Sequence, residues 1–331
     1  MKNLYLIITM ILTLAFLLIP LLATEKRQNE GVFSNSTSIV SIESDTKNLR
    51  FEKLSEIKLF CVNTKKILPL KVEEYVLGVV AAEMPSEYHI EALKAQALAA
   101  YTYAYKKHLE GSEKLNEYDL TNDSTIDQRY ADESARKTKW GEKFNENETR
   151  IKTAVSEILE EIIVYNDKPI LAVYHAISPG KTEKAKNVWG TDYPYLQSEN
   201  SVGDLLSADF YSEAKFSKED FTNKLAEVGI EVLSESENLI GEVNKSSSGT
   251  VLDIELCGQK VPGTKIREVF GLRSAACDLI YKSNAFVFTV SGYGHGVGMS
   301  QFGANYMAQQ GSSYEEIIKT YYRGCEIIHI D

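Results

Sequence analysis

The chain has 331 residues, 44% of them hydrophobic and 25% charged, with a net charge of −11. That length and balance allow one large folded domain or two smaller ones. The acidity excludes a nucleic-acid binder, which needs a basic surface to replace counterions.

Residues Leu4 to Ala23 form an apolar run of about 20 residues, enough to cross a bilayer as a helix. Lys2 precedes it, and Leu21-Leu22-Ala23-Thr24 has no small-x-small cleavage site. Residues 1–24 therefore read as an uncleaved single-pass anchor. Lys26 and Arg27 lie on its far side, so charge does not settle the orientation. Residues 25–53 are polar and lack periodicity, as a flexible tether does. The folded part is expected over 54–331.

Within it, residues 57–70 predict one or two strands. Residues 72–84 predict a helix ended by Pro85. Residues 90–108 predict a second helix, rich in Ala. Residues 112–150 are polar and read mostly as a surface excursion. Residues 151–164 predict a helix, or a helix running into a strand, and 169–178 a buried strand. The character changes at 206–265, read as an inserted subdomain with a helix near 218–228 and a turn at Ser247-Ser248-Gly249. A short helix (266–272), a strand (285–290) and a glycine-rich loop follow. Helices start near Ser300 and at Ser313, where Glu316 completes a capping box. The fold class is α+β: mixed strands with packed helices and a substrate cleft, preceded by one transmembrane helix.

Glu83 stands out on spacing. With Val76, Val79 and Val80 it falls at i, i+3, i+4, i+7, one face of a helix. A carboxyl on a burying face has a raised pKa and suits proton donation near neutral pH. Pro85 puts it at the helix end, where a cleft can open and the helix dipole disfavours the anion. A Glu paired with Lys is the plainer alternative. Gln96 is the polar exception on the Ala-rich face of the second helix, either a core amide or a partner of Glu83 or a sugar.

Two further stretches carry chemistry. Tyr174 and His175, followed by Ser178, Lys181, Thr182 and Glu183, gather hydroxyls, an imidazole and a cation at a strand end. His175 by itself fits a satisfied core histidine equally. Gly292-Tyr293-Gly294-His295-Gly296-Val297-Gly298 alternates glycine with other residues before Gln301. Such spacing serves unusual backbone angles or close approach of a ligand, with His295 exposed between two glycines. Cys61, Cys257, Cys277 and Cys325 form no C-x-x-C pair, so neither disulfides nor a metal site is predicted.

The stretches EYVLGVVAAEMPSEYHIEALKAQALAAYTYA (74–104), YHAISPGKTEKAKNVWG (174–190), FGLRSAAC (270–277) and GHGVGMSQFGANYMAQQGSSYEEIIKTYY (294–322) occur in order and resemble the stage II sporulation protein D family. The resemblance spans roughly 57–331, and the N-terminal anchor fits it. It implies a lytic transglycosylase that cuts the bond between N-acetylmuramic acid and N-acetylglucosamine in peptide-stripped glycan strands, leaving a 1,6-anhydro end. It implies forespore engulfment, a partner amidase, other membrane proteins of the engulfment complex, and a domain outside the cytoplasm facing the wall. Glu83 in the matching AAEM motif would be both acid and base. Gln96, Ser178, Lys181, Thr182, His295 and Gln301 become candidate cleft residues. Two departures stand out. Tyr101 occupies a position where the family often has Arg, and residues 118–131 lack the His and Cys with which some relatives hold zinc. No cofactor is expected. The alternatives are a non-catalytic wall-binding module that stimulates an amidase, and a hydrolytic muramidase with Glu183 as second carboxylate.

Overall fold

The computed structural model describes residues 51–113, 117–230 and 239–331. The expected anchor (1–24) and all of the tether before residue 51 lie outside the described residues. Among the described residues no helix is long and apolar enough to cross a membrane. The chain is held from the start of its described part. The Tyr105 hydroxyl donates to the Glu52 carbonyl at 2.9 Å, and the Lys53 N–H donates to the Asp331 carbonyl at 2.8 Å.

Strands β1 (Glu56–Cys61) and β2 (Lys66–Lys71) form an antiparallel hairpin, with Ile57 opposite Leu70. Ile57 and Leu59 point into the core, as the two-residue period of a strand requires. β2 runs straight into helix α1 (Val72–Glu83). That helix is buried on almost every side, through Tyr75 to Ala81 without a break, so the stripe read from the sequence is only part of what it buries. It stops where expected: Pro85 follows, and the Met84 N–H closes onto the Val80 carbonyl. Helix α2 (Ile90–Glu113) is the hub of the core. Ala92, Ala95, Ala97, Ala99, Ala100 and Ala104 are all fully buried along it, and their small side chains let neighbours approach its backbone from several directions.

The polar stretch after α2 is mostly surface, as expected, but it carries structure and a few buried anchors. β3 (Leu120–Thr121) adds in parallel to β1. Helices α3 (Glu133–Trp140) and α4 (Phe144–Ser156) enclose Arg136, which is 1% exposed. Its guanidinium makes two bonds to Glu148, at 2.9 and 3.0 Å, and a third to Glu74 at 2.9 Å. Arg136 and Glu148 are the charges this stretch buries, and they neutralise each other. β4 (Glu161–Tyr165) follows α4, so this segment is a helix running into a strand. It pairs with β5 (Lys168–Pro169). The stretch expected as one buried strand, 169–178, pairs only at separate points: Pro169 in β5, Tyr174–His175 in β6, and Ile177 with Tyr293. Helix α5 (Ala185–Trp189) ends on Gly190 in the left-handed conformation.

A second hydrophobic core is built from β7 (Tyr211–Ser217), α6 (Lys218–Ala226), β8 (Ile240–Lys245), β9 (Val251–Leu256), β10 (Gln259–Pro262), α7 (Gly263–Phe270), β11 (Cys277–Lys282) and β12 (Ala285–Ser291). Its sheets run β10-β9-β8 and β11-β12-β7, all antiparallel. Phe221 stacks on Phe286 at 3.8 Å between centroids and on Phe270 at 4.9 Å. This core continues past residue 265 because β12 pairs along its whole length with β7, from Ala285 opposite Ser217 to Ser291 opposite Tyr211. The chain then returns to the first core through β13 (Met299–Ser300), parallel to β6. Helices α8 (Gln301–Gln309) and α9 (Tyr314–Tyr321) and strand β14 (Glu326–His329), paired with β4, complete it. The Ser313–Glu316 capping box starts α9 as read. The fold is a mixed α+β arrangement of packed helices and several sheets.

Candidate active site

A cleft of about 580 Å³ opens where α1 ends. Glu83 from α1, Lys107 from α2, Asp127 and Arg129 from the loop after β3, Tyr174 and His175 of β6, and Gln301 of α8 line one side. Trp189, Arg267 of α7, and Tyr293 and His295 of the glycine loop complete it.

Glu83 is half-buried, and burial raises its pKa above the usual carboxylate value. A hydrogen bond from the Arg129 N–H to Oε1 at 2.8 Å, and the charges of Arg129 and Lys139, pull the other way without cancelling the rise. Oε2 has no hydrogen-bond partner among the described residues. Next to it a neutral network is laid down. The Tyr174 hydroxyl donates to Gln128 Oε1 at 2.8 Å, and Gln128 Nε2 donates to Tyr75 Oη at 3.1 Å and to the Ala100 carbonyl at 3.2 Å. Burial first, and the charge of Glu83 among the rest, keep both phenols protonated.

Asp127 is the other carboxylate of the cleft, and it is occupied. It accepts from the Tyr103 hydroxyl at 2.9 Å and the Thr121 N–H at 2.9 Å, and Lys107 lies 3.4 Å away.

The two histidines sit side by side, ring centroids 5.8 Å apart, with Trp189 5.1 Å from His295. His175 Nδ1 lies 3.0 Å from the Val297 carbonyl, which can only accept, so in the neutral ring Nδ1 carries the proton. Its Nε2 is buried without a partner among the described residues. The Val297 N–H donates to His295 Nδ1 at 3.1 Å, which puts the proton of that ring on Nε2. Burial pushes His175 down to about 4, with the Arg267 charge adding to it. Burial, then His175, then Arg267 push His295 down to about 3. Both rings are neutral at physiological pH.

The glycine loop answers the question its spacing posed. Gly292, Gly294, Gly296 and Gly298 all have positive φ, but what approaches them is the protein itself. A Cβ on Gly298 would lie 2.1 Å from the Val173 carbonyl oxygen, and one on Gly292 2.6 Å from that of Ile177. Ile177 and Tyr293 exchange backbone hydrogen bonds at 2.7 and 3.0 Å, which stitches the loop to the chain beside β6. The N-terminus of α8 is closed by its own Ser300.

Glu83, Tyr174, His175, His295 and Gln301 are thus brought together in one cleft. Gln96 is fully buried behind it and reaches it only through Gln301, whose Nε2 donates to Gln96 Oε1 at 3.2 Å. Ser178, Lys181 and Thr182 are not part of the lining. The Ser178 N–H and hydroxyl both hold buried Asp204, at 2.9 and 2.5 Å, with Ser300 on its other oxygen. Thr182 is tied to Glu199 and Gln197, and Lys181 pairs through its backbone with Asn200. Glu183 is buried elsewhere. It accepts from Ser246 and Ser248 of the β8–β9 turn, from the Lys184 N–H and from Asn187, and these bonds outweigh burial and lower its pKa. Tyr101 is buried in the first core, where the Leu54 N–H points at its hydroxyl at 3.4 Å. Lys107, Asp127, Arg129 and Arg267 had no sequence signal of their own. Trp189 had one, as one of two tryptophans, at the end of the 174–190 stretch. Among the described residues no group of three or more His, Cys, Asp or Glu side chains is arranged to hold a metal ion.

A family model described as Stage II sporulation protein (SpoIID) matches residues 62–165. Stage II sporulation protein D of Bacillus amyloliquefaciens is 36% identical over 83% of this chain and 79% of its own length. The protein of the same name from Bacillus subtilis (strain 168) is 34% identical over 92% of this chain and 89% of its own. The Amidase enhancer of Bacillus subtilis (strain 168) is 27% identical over 75% of this chain and 39% of its own.

Proposed function

Because this chain belongs to the stage II sporulation protein D family, a family with a role in sporulation, we propose that it is a lytic transglycosylase of the cell wall. Its substrate is the peptide-stripped glycan strand, cut between N-acetylmuramic acid and N-acetylglucosamine. The observation that carries this reading is the inequality of the two cleft carboxylates: Glu83 has a raised pKa and a free oxygen, whereas Asp127 is saturated by Lys107, Tyr103 and Thr121.

A hydrolase of the common kind uses two working carboxylates. A lytic transglycosylase needs one. Glu83 gives its proton to the glycosidic oxygen as the bond to the muramic C1 breaks. The muramic C6 hydroxyl then attacks C1, and its proton returns to Glu83. One C–O bond is exchanged for another, no water enters, and the acid is regenerated. Glu183, the second carboxylate of the hydrolytic alternative, lies outside this cleft with all its neighbours donating to it. We further propose that Leu4–Ala23 anchors the domain outside the cytoplasm, facing the wall, where it acts in forespore engulfment with a partner amidase and membrane proteins of the engulfment complex.

Similarity to an Amidase enhancer supports a second reading, a wall-binding module that stimulates an amidase without cutting glycan. One digest separates them. Peptide-stripped strands are incubated with the wild type and with Glu83→Gln, and products are read by mass spectrometry. Anhydro-ended products from the wild type alone are expected. Reducing ends from the wild type would mean a hydrolase. Strands bound but uncut by both proteins, with amidase stimulation intact, would establish the second reading instead.

A further inference from the structure

Arg267 is a cation without an anion. Arg136, Arg273 and Arg323 each have a carboxylate within 3.4 Å, Arg150 spends its guanidinium on the Ser86 and Tyr88 carbonyls, and Arg129, also in the cleft lining, is exposed. Arg267 has none among the described residues, in a chain where acids outnumber bases by 47 to 36. Its one side-chain hydrogen bond there runs from Nε to the Leu272 carbonyl and is long, 3.4 Å. The two terminal nitrogens are left for a planar, two-pronged contact, which is what a carboxylate accepts from Arg. The group is half-buried in the cleft wall that the second core supplies, and its charge is felt by both His175 and His295. Those rings are neutral and carry no competing charge on that side of the cleft. Burial itself pushes Arg267 down from its usual pKa, so holding it there unpaired works against stability. A helix-end contact to Leu272 does not require a site facing a substrate cleft.

We propose that Arg267 is the receptor for a carboxylate of the glycan, namely the lactyl carboxylate that muramic acid exposes once its stem peptide is removed. This rests on the glycan-cleaving reading above. It gives that reading a chemical cause for preferring stripped strands. A peptide amide at the lactyl group offers no negative charge to the guanidinium, so the same sugar ring is held less well when substituted. Stem peptides carry carboxylates of their own, and the test must tell the two sources apart.

Binding is measured by calorimetry with full-length Glu83→Gln protein, which leaves strands uncut. Three strands of equal length are compared: free lactyl carboxylates, the same strand capped as lactyl methylamides, and a strand with intact stem peptides. The expected result is roughly tenfold tighter binding of the free strand than of either other strand. Adding Arg267→Gln should make all three alike, while Arg267→Lys should keep part of the preference. The capping comparison needs no change at Arg267, so it stands even if Arg267→Gln folds poorly. Equal binding of free and capped strands overturns the inference, as does a preference that survives Arg267→Gln. Tighter binding of the peptide-bearing strand, lost in Arg267→Gln, would assign the carboxylate to the peptide and overturn the lactyl assignment. Anhydro-ended products from Glu83-intact protein report separately on the reaction. If they form with no discrimination between strands, the inference fails and the transglycosylase reading stands.

Discussion

The Arg129 N–H donates to Glu83 Oε1 at 2.8 Å, so the carboxyl at the end of α1 is aimed by a backbone group 46 residues further along the chain. A backbone donor keeps that aim whatever side chain it carries. It also leaves the other oxygen for a proton.

Replacing Glu83 by Gln should lower kcat by about 10²- to 10⁴-fold, the usual worth of a general acid and base. It should also stabilise the fold. Glu83 has a higher pKa folded than unfolded, so its ionised form costs stability at neutral pH. Thermal melts at pH 7 should show Glu83→Gln higher by a few degrees, on the order of 1 kcal/mol. The gap should close below pH about 4, where the carboxyl is protonated in both states. The reaction itself should fade as pH rises through the raised pKa, because the acid form is lost.

Glu183 should behave in the opposite sense. Its pKa is lowered in the folded state, so its contribution is fully present above the ordinary Glu value and is lost as pH falls through the depressed one. Glu183→Gln should cost about 1–3 kcal/mol at pH 7, because half-buried Ser246 and buried Ser248 lose a charged acceptor. Urea titrations of the two proteins should converge as pH falls through that depressed value.

Gly298→Ala should destabilise the fold more than Gly271→Ala. Both glycines have positive φ, 71° and 62°. A Cβ at 271 meets nothing within 4 Å, so the expected cost is the conformational one of about 1–2 kcal/mol. At 298 it would also press on the Val173 carbonyl, next to β6, and the cleft should lose activity along with stability. Paired denaturation and turnover assays check both.

Arg136→Met should cost about 3 kcal/mol, since it leaves buried Glu148 with only the exposed Lys152, 3.6 Å away. Arg136 also holds the Ala131 carbonyl at 2.8 Å, and the Ala131 N–H bonds to the Gly78 carbonyl of α1. The loop bearing Asp127 and Arg129 should therefore slacken. Activity should fall further than the loss of folded protein accounts for, measured at a temperature where the variant is still folded.

The position of Glu83 at a helix end was legible in the sequence for a reason that only half survives. The helix end marked by Pro85 is real, but the stripe shared with Val76, Val79 and Val80 is not selective in a helix buried from Tyr75 to Ala81. The segment 112–150 is mostly surface, as its composition suggests, but composition could not show that Arg136 and Glu148 pair with each other in the interior. Ser178, Lys181 and Thr182 lie close in sequence to Tyr174 and His175, yet nothing in the sequence says which way each side chain turns. Asp204, the acid that uses Ser178, carried no local signal. The glycine loop was legible as unusual backbone, while its reason, contact with the chain from Val173 to Glu183, is a tertiary fact.

The cleft draws its walls from segments scattered between Glu83 and Gln301. A chain still being made therefore has an acid and no groove for it to work in, until α8 has been delivered and seated. Completion of the groove is thus the last event written into the order of the chain.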